Sequence, residues 1–400
     1  MQIIPFSPPD ITDEDISGVV ETLKSGWITT GKKTKLFEQK IAQYCHTQKA
    51  VCLNSATACM ELTLRILGIG PGDEVITTAY TYTASASVIC HVGATPVLVD
   101  VSKNSFCMDY EALYDAITEK TKAIICVDIA GVMCDYTEVF NIVQAKKNVF
   151  TPENLIQTAY GRIIVIADAA HSFGATQNGK MSGEVADFTC FSFHAVKNIT
   201  TAEGGAVTWK GISDDFNDEV YKEYSLLSLH GQTKDALSKE KAGAWEYDII
   251  SPSYKCNMTD IAASLGLTQL KRYTQILRKR HEIVSLYNKG LLDLEIQCIK
   301  HESDTFCSSA HLFLTRLIER DEDYRNLVIK RMSDYGISTN VHYKPLPMFT
   351  AYKRLGFSIK DYPNAYETYS NEITLPLNTV MSYEDVYFVI EILKKILRGL

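Results

Sequence analysis

FSFHAVKNITTAEGGAV, Phe191 to Val207, sets one lysine at the mouth of an aromatic, apolar run. Phe188 to Phe193 reads as a buried strand, and Gly204 and Gly205 close the turn that follows. On an ordinary solvated loop Lys197 would have no task. Beside packed aromatics its ammonium loses hydration, which lowers its pKa from the free value of about 10.4. A lysine in that state can add to an aldehyde.

The aldehyde that fits such a lysine is pyridoxal phosphate (PLP), and its other needs can be sought along the chain. It needs a carboxylate to keep its pyridine nitrogen protonated. GRIIVIADAAHSFGA, Gly161 to Ala175, supplies one: Arg162 to Ala167 reads as a β-branched strand with Asp168 at its carboxyl end, where parallel α/β sheets hold ligands. An aspartate there also serves as a helix cap, and His171, three residues on, is either a ring neighbour or packing. The phosphate needs a cradle. Lys49 to Leu53 reads as a short strand, and Asn54, Ser55, Ala56 and Thr57 open an amphipathic helix running to about Leu67. Small hydroxyl residues at a helix start leave N–H groups free for an anion, although a plain N-cap has the same look.

With these residues in place, the chain resembles the DegT/DnrJ/EryC1/StrS family of sugar aminotransferases, enzymes of PLP fold type I. The resemblance rests on SGWITTGKKTKLFE, NSATACMELTL, GDEVITTAYTYTASASVI, GATPVLVDV, DAAHSFGA, FSFHAVKNITTAEGGAV, YKCNMTDIAASLGLTQL and HYKPL, in the family's order over nearly the whole chain. It implies an α/β fold, with a large PLP-binding domain at 1–245 built on a mostly parallel sheet between helices and a smaller α/β domain at 246–400. The N-terminal segment is expected to pack on the smaller domain. It implies Lys197 and Asp168 as catalytic residues. Ser55, Ala56, Thr57 and Ser192 would bind the phosphate, and Tyr82 and His171 would hold the ring. Trp27, Thr30, His342 and Tyr343 would face the substrate. Asn257 would reach the cofactor phosphate of a neighbouring chain, which implies a homodimer with shared sites. The expected reaction moves an amino group, from L-glutamate by family habit, to a nucleotide-linked keto-sugar, foremost a 4-keto-6-deoxy sugar. Related dehydratases carry histidine in place of the lysine, so Lys197 favours transamination over the alternatives of a sugar dehydratase or a non-catalytic regulator.

Composition bounds the remaining classes. Four hundred residues, 46% hydrophobic, suit two domains, and a formal charge of -8 gives no basic footprint for nucleic acid. Eleven cysteines without a CxxC pair read as reduced thiols of a cytoplasmic protein, with no metal site. No signal segment or membrane-length apolar run is expected. Strand, helix and strand alternate at Thr95–Val99, Asp109–Glu119 and Ala123–Ile129, the rhythm of a parallel sheet. The stretch between Met133 and Gly161 reads as helix plus an added loop. LFLTRLI, YGISTNVHYKPL and TLPLN read as strands of the smaller layer, and Tyr383 to Leu397 as a last helix. GIGPGD follows a helix, so it reads as a C-cap and turn, not a dinucleotide loop.

Overall fold

Runs such as IVIAD and AVCL are buried at every position because both faces of their sheet are covered. The computed structural model describes residues 3–234 and 246–399. Its main sheet holds β1 (Ala50–Leu53), β2 (Glu74–Thr78), β3 (Thr95–Val99), β4 (Thr121–Val127), β5 (Ile164–Asp168), β6 (Phe188–Ser192) and β7 (Gly205–Trp209). In space they lie in the order β1-β7-β6-β5-β4-β2-β3. β2 runs parallel to β3 and β4, β4 to β5, and β5 to β6, while β7 is antiparallel to both neighbours. Asp168 and Ser192 therefore end adjacent strands at one edge, where ligands of doubly wound sheets bind.

Helices α1 (Asp13–Lys24), α2 (Lys32–Tyr44), α3 (Ala56–Ile66), α4 (Ala84–His91), α5 (Tyr110–Ala116), α6 (Tyr136–Ala145), α7 (Leu155–Tyr160) and α8 (Asp214–Ser228) fill out the first part of the chain. The sheet's alternating side chains divide between two cores. Ile124, Cys126, Val165 and Ala167 pack with Phe37 and Ile41 of α2, Leu113 of α5 and Val139 of α6. Ile125, Ile164 and Ile166 pack with Leu62 and Leu64 of α3, Val88 of α4 and Val220 of α8.

Beyond residue 246 come α9 (Asp260–Lys271) and α10 (Tyr273–Gly290), then a three-stranded antiparallel sheet of β8 (Ile296–Cys298), β9 (Phe313–Leu317) and β10 (Glu372–Leu375). Its core includes Ile283, Val284 and Tyr287 of α10 and Val389, Ile390 and Leu393 of the last helix, Tyr383–Gly399. Ile4 joins that core and bridges to Ile337. The expected boundary at Trp245 lies outside the described residues. Packing sets Met258, Ala263, Tyr273 and Ile276 in the same core as α2, so α10 runs from one core into the other.

Some elements differ from the sequence reading. The helix expected over Asp109–Glu119 is α5, ending at Ala116, because Ile117 turns extended and the Thr118 N–H bonds the Thr121 hydroxyl at 3.0 Å. Tyr335 to Leu346 forms no strand; its β-pairing is limited to single bridges at Ile337 and Asn340. Between Met133 and Gly161 there are two helices, and the second has a packing role. Asn154 Nδ2 and Gln157 Nε2 each donate to the Leu67 carbonyl at 2.7 Å, satisfying the C-terminus of α3.

Candidate active site

β5 delivers Asp168 to the sheet edge at 6% exposure. The Ser85 hydroxyl donates to its Oδ2 at 2.6 Å, and the Ala170 N–H to its Oδ1 at 3.2 Å. Burial pushes the carboxyl above its ordinary pKa, against the opposing pull of these donors and of Lys197.

Lys197 stands on the turn after β6, its own N–H bonded to the His194 carbonyl at 2.9 Å. Among the described residues its amino group has no hydrogen-bond or ion-pair partner. Desolvation lowers its pKa to about 8, and the nearby Asp168 carboxylate limits the fall. The amine is thus free-base in a substantial fraction near neutral pH, and the carboxylate stays close without capturing it.

Both groups line a cavity of about 530 Å³. Ser55, Ala56, Thr57, Tyr82, His171, Ser192, His342 and Tyr343 line it too, so ten of the residues expected from sequence converge there. A larger hollow, about 780 Å³ between α1, α2 and α9, holds none of them. Trp27, Thr30 and Asn257 lie outside the Lys197 cavity. They form a second cluster, in which Trp27 Nε1 donates to the Thr30 carbonyl at 3.2 Å, Asn257 Nδ2 to the Thr30 hydroxyl, and that hydroxyl to the Met258 carbonyl.

Ser55 caps α3, its Oγ accepting the Ala58 N–H at 3.0 Å, which leaves the N–H groups of Ala56 and Thr57 at the cavity wall. Gly205 explains how β7 fits beneath this helix start: a Cβ there would stand 2.5 Å from Ala56 N and Ser55 C. His171 Nδ1 accepts the Ala130 N–H at 3.2 Å, which puts its proton on Nε2, 3.1 Å from the Tyr343 hydroxyl. The His342 N–H donates to Glu372 at 2.8 Å, and its ring stacks on Phe6 with 5.6 Å between centroids. Tyr82, 61% exposed, reaches the Tyr343 ring at 6.2 Å.

Several residues of the site gave no sequence signal. Ser85 sits in TASASV, where a hydroxyl on a helix is unremarkable, and Phe6 and Ser7 belong to a proline-rich start. Ser7 Oγ donates to the Val196 carbonyl at 3.0 Å, next to Lys197. Asp128, at the end of β4, is buried under bonds from Ser172, Tyr136 and the Cys134 N–H. His311 is the fifth, reached from a distant segment.

These residues fit PLP: an unpartnered amine, a buried carboxylate with acceptor capacity to spare, and a helix start brought close by a glycine that tolerates no side chain. The sequence profile of the DegT/DnrJ/EryC1/StrS aminotransferase family matches residues 9–394. The chain belongs to this family. This protein is a PLP-dependent aminotransferase. Spr1654 of Streptococcus pneumoniae, assigned as a sugar aminotransferase and solved in its pyridoxamine phosphate form, is 56% identical, with 98% of each chain covered and a TM-score of 0.95. Its PLP form superposes equally, with a TM-score of 0.95. The spore coat polysaccharide biosynthesis protein SpsC of Bacillus subtilis is 36% identical over 99% of this chain and 97% of its own. PseC of Helicobacter pylori, an aminotransferase of pseudoaminic acid biosynthesis, is 28% identical over the whole of both chains, with a TM-score of 0.86. The aminotransferase has no helix, among the described residues, long and apolar enough to cross a membrane.

Proposed function

We propose that this aminotransferase carries an amino group from L-glutamate to a nucleotide-linked keto-sugar, foremost a 4-keto-6-deoxy sugar, with Lys197 as its covalent anchor and proton carrier. The observation that carries the reading is one cavity holding an unpartnered amine of lowered pKa and a buried carboxylate at an adjacent strand end. The sugar acceptor is supported by the roles given to SpsC and PseC in polysaccharide and pseudoaminic acid synthesis.

Bound PLP supplies an electron sink that stabilises negative charge on the carbon losing its proton. The protein's part is to place and protonate. Asp168, held by Ser85 and Ala170, would accept the pyridine N–H and keep that nitrogen charged. Ala56 and Thr57 N–H groups, with the Ser192 hydroxyl, hold the phosphate at the positive end of α3. Tyr82 and His171 confine the ring. Lys197 Nζ, the group that would hold the cofactor, would also take the proton from the donor's α-carbon and pass it on without giving it back to that carbon, a task suited to a base whose pKa lies near the working pH. Phe6, Tyr343 and His342 narrow the mouth and exclude water on the substrate side.

Trp27, Thr30 and Asn257 belong in this reading to the cavity of a second copy, making a homodimer with shared sites. Their position away from their own Lys197 cavity, while bonded to one another, supports it. A cytoplasmic location accords with eleven cysteines that all remain unpaired. The test is a panel of UDP-, dTDP- and GDP-linked keto-sugars offered with L-glutamate. An amino-sugar product from at least one of them is expected. Conversion of the cofactor by glutamate with no aminated sugar anywhere in the panel would refute the acceptor.

A further inference from the structure

His311 reaches the cavity from the turn before β9, buried to 3% exposure, and every hydrogen bond around it has a fixed direction. Asn198 Nδ2 donates to the Ser309 carbonyl at 2.7 Å, so the amide oxygen faces His311 Nδ1 at 2.8 Å and must accept from it. The proton is thereby on Nδ1, and Nε2 carries a lone pair. Among the described residues nothing bonds Nε2. The backbone that carries the ring is fixed: the His311 main-chain N–H donates to the Ala130 carbonyl at 3.0 Å, and Arg280 Nη1 donates to the Ala310, His311 and Leu377 carbonyls at 3.2, 3.3 and 3.0 Å. The ring lies 4.4 Å, centroid to centroid, from His171. Burial, with Lys197 and Arg280 nearby, keeps it uncharged.

Beyond His171 the polarity is opposite. His171 donates through Nε2 to the Tyr343 oxygen, which leaves the tyrosine O–H free to donate into the cavity. One wall therefore offers a fixed acceptor and a fixed donor on either side of one ring. A carboxylate or phosphate finds no partner in a lone pair; a hydroxyl does.

We infer that His311 Nε2 is a specificity-determining acceptor that reads a hydroxyl of the sugar substrate, with Asn198 and Arg280 as its positioning residues. This rests on the keto-sugar reading above, and no bond is made or broken at the imidazole. A site built to hydrogen-bond a substrate hydroxyl discriminates strongly against an analogue that lacks it.

The experiment compares His311→Phe, which keeps a ring, and His311→Gln, whose amide oxygen can stand near Nε2, in the PLP-loaded enzyme. Conversion of the cofactor absorbance by L-glutamate should stay within about twofold in both, and His311→Phe should lose about tenfold or more in kcat/KM for the keto-sugar, chiefly in KM, with His311→Gln recovering most of it. Unchanged sugar kinetics in His311→Phe would overturn the inference. So would an equal loss with glutamate, or a displaced cofactor absorbance, since either would turn the group toward the cofactor. Long-range nitrogen–proton NMR of the histidines, assigned with the same variants, gives a readout independent of turnover: Nδ1 protonation at His311 is expected, and Nε2 protonation or an imidazolium rejects the claim. If wild type responds to glutamate yet aminates no sugar in the panel, the acceptor reading has failed, and the tautomer then decides whether Nε2 is a free acceptor.

Discussion

Lys197 and Asp168 work against each other in a measurable way. Desolvation lowers the lysine to about 8 while the carboxylate holds it up. PLP capture by the cofactor-stripped enzyme should therefore speed up as pH rises, with a midpoint about 8. Asp168→Asn removes the charge that favours the ammonium, so its capture midpoint should move to lower pH while turnover falls severely; a midpoint moving upward would reverse our assignment of the pair. Lys197→Ala should cut kcat by roughly a hundredfold to ten-thousandfold or more, the range of a lost general base, and still bind PLP without a covalent link. Borohydride followed by peptide mass analysis separates those states. These two residues were legible because each follows a strongly apolar strand, a local pattern. His311 was not. SSAHLFLTRL reads only as the entry to a strand, and its approach to Asn198 depends on the docking of residues 308–311 against the turn at Ala130, which no window of sequence contains.

Among the elements, α3 and β7 form the contact that shapes the cofactor end of the cavity. Gly205→Ala would push a methyl into backbone atoms of Ser55 and Ala56, neither of which can swing aside. An overpacking cost of about 1–3 kcal/mol and a weakened PLP affinity are expected, seen as a lower Tm and a higher Kd. Ser55→Ala loses the cap at about 1 kcal/mol but leaves the helix start where it is, so its affinity should suffer less than that of Gly205→Ala. The opposite ranking would mean that the hydroxyl, and not the approach of the strand, sets the cradle. The cradle could be read from sequence because small residues after a short strand signal a helix start. The end of α5 and the irregular path from Tyr335 to Leu346 were harder. Thr118 and Thr121 settle the first by side-chain bonds, and the second is shaped by Phe6, Glu372 and Thr374, all remote in sequence.

For the molecule as a whole, buried carboxyls shape stability against pH. Glu372, fully buried at the start of β10, is raised to about 8 by desolvation, partly countered by the Thr374 hydroxyl and the His342 N–H. Asp128 is raised to about 7 by burial. Each binds its proton more tightly folded than unfolded, so the folded state gains at acid pH and loses that advantage as pH rises from the ordinary carboxylate range through these values. Glu372→Gln keeps an acceptor for the His342 N–H without the charge, and its Tm should fall less steeply than that of wild type between pH 5 and about 8. Parallel Tm curves would show that the carboxyl is not the titrating group. The two-layer division was readable from the alternation of strands and helices, whereas the passage of α10 between cores was not, since its apolar face looks the same on either side.

Residues 4 to 7 carry a practical corollary. Ile4 is seated among the side chains around β9 and β10, Phe6 covers His342, and Ser7 is tied to Val196 beside the reactive amine. A purification handle or fluorescent partner joined ahead of Ile3 would hang within a few residues of Phe6 and Ser7, which line the cavity, whereas one appended after the final helix would follow residues that do not line it. Comparing the two fusions gives a quick gauge of how much that leading segment contributes to sugar recognition.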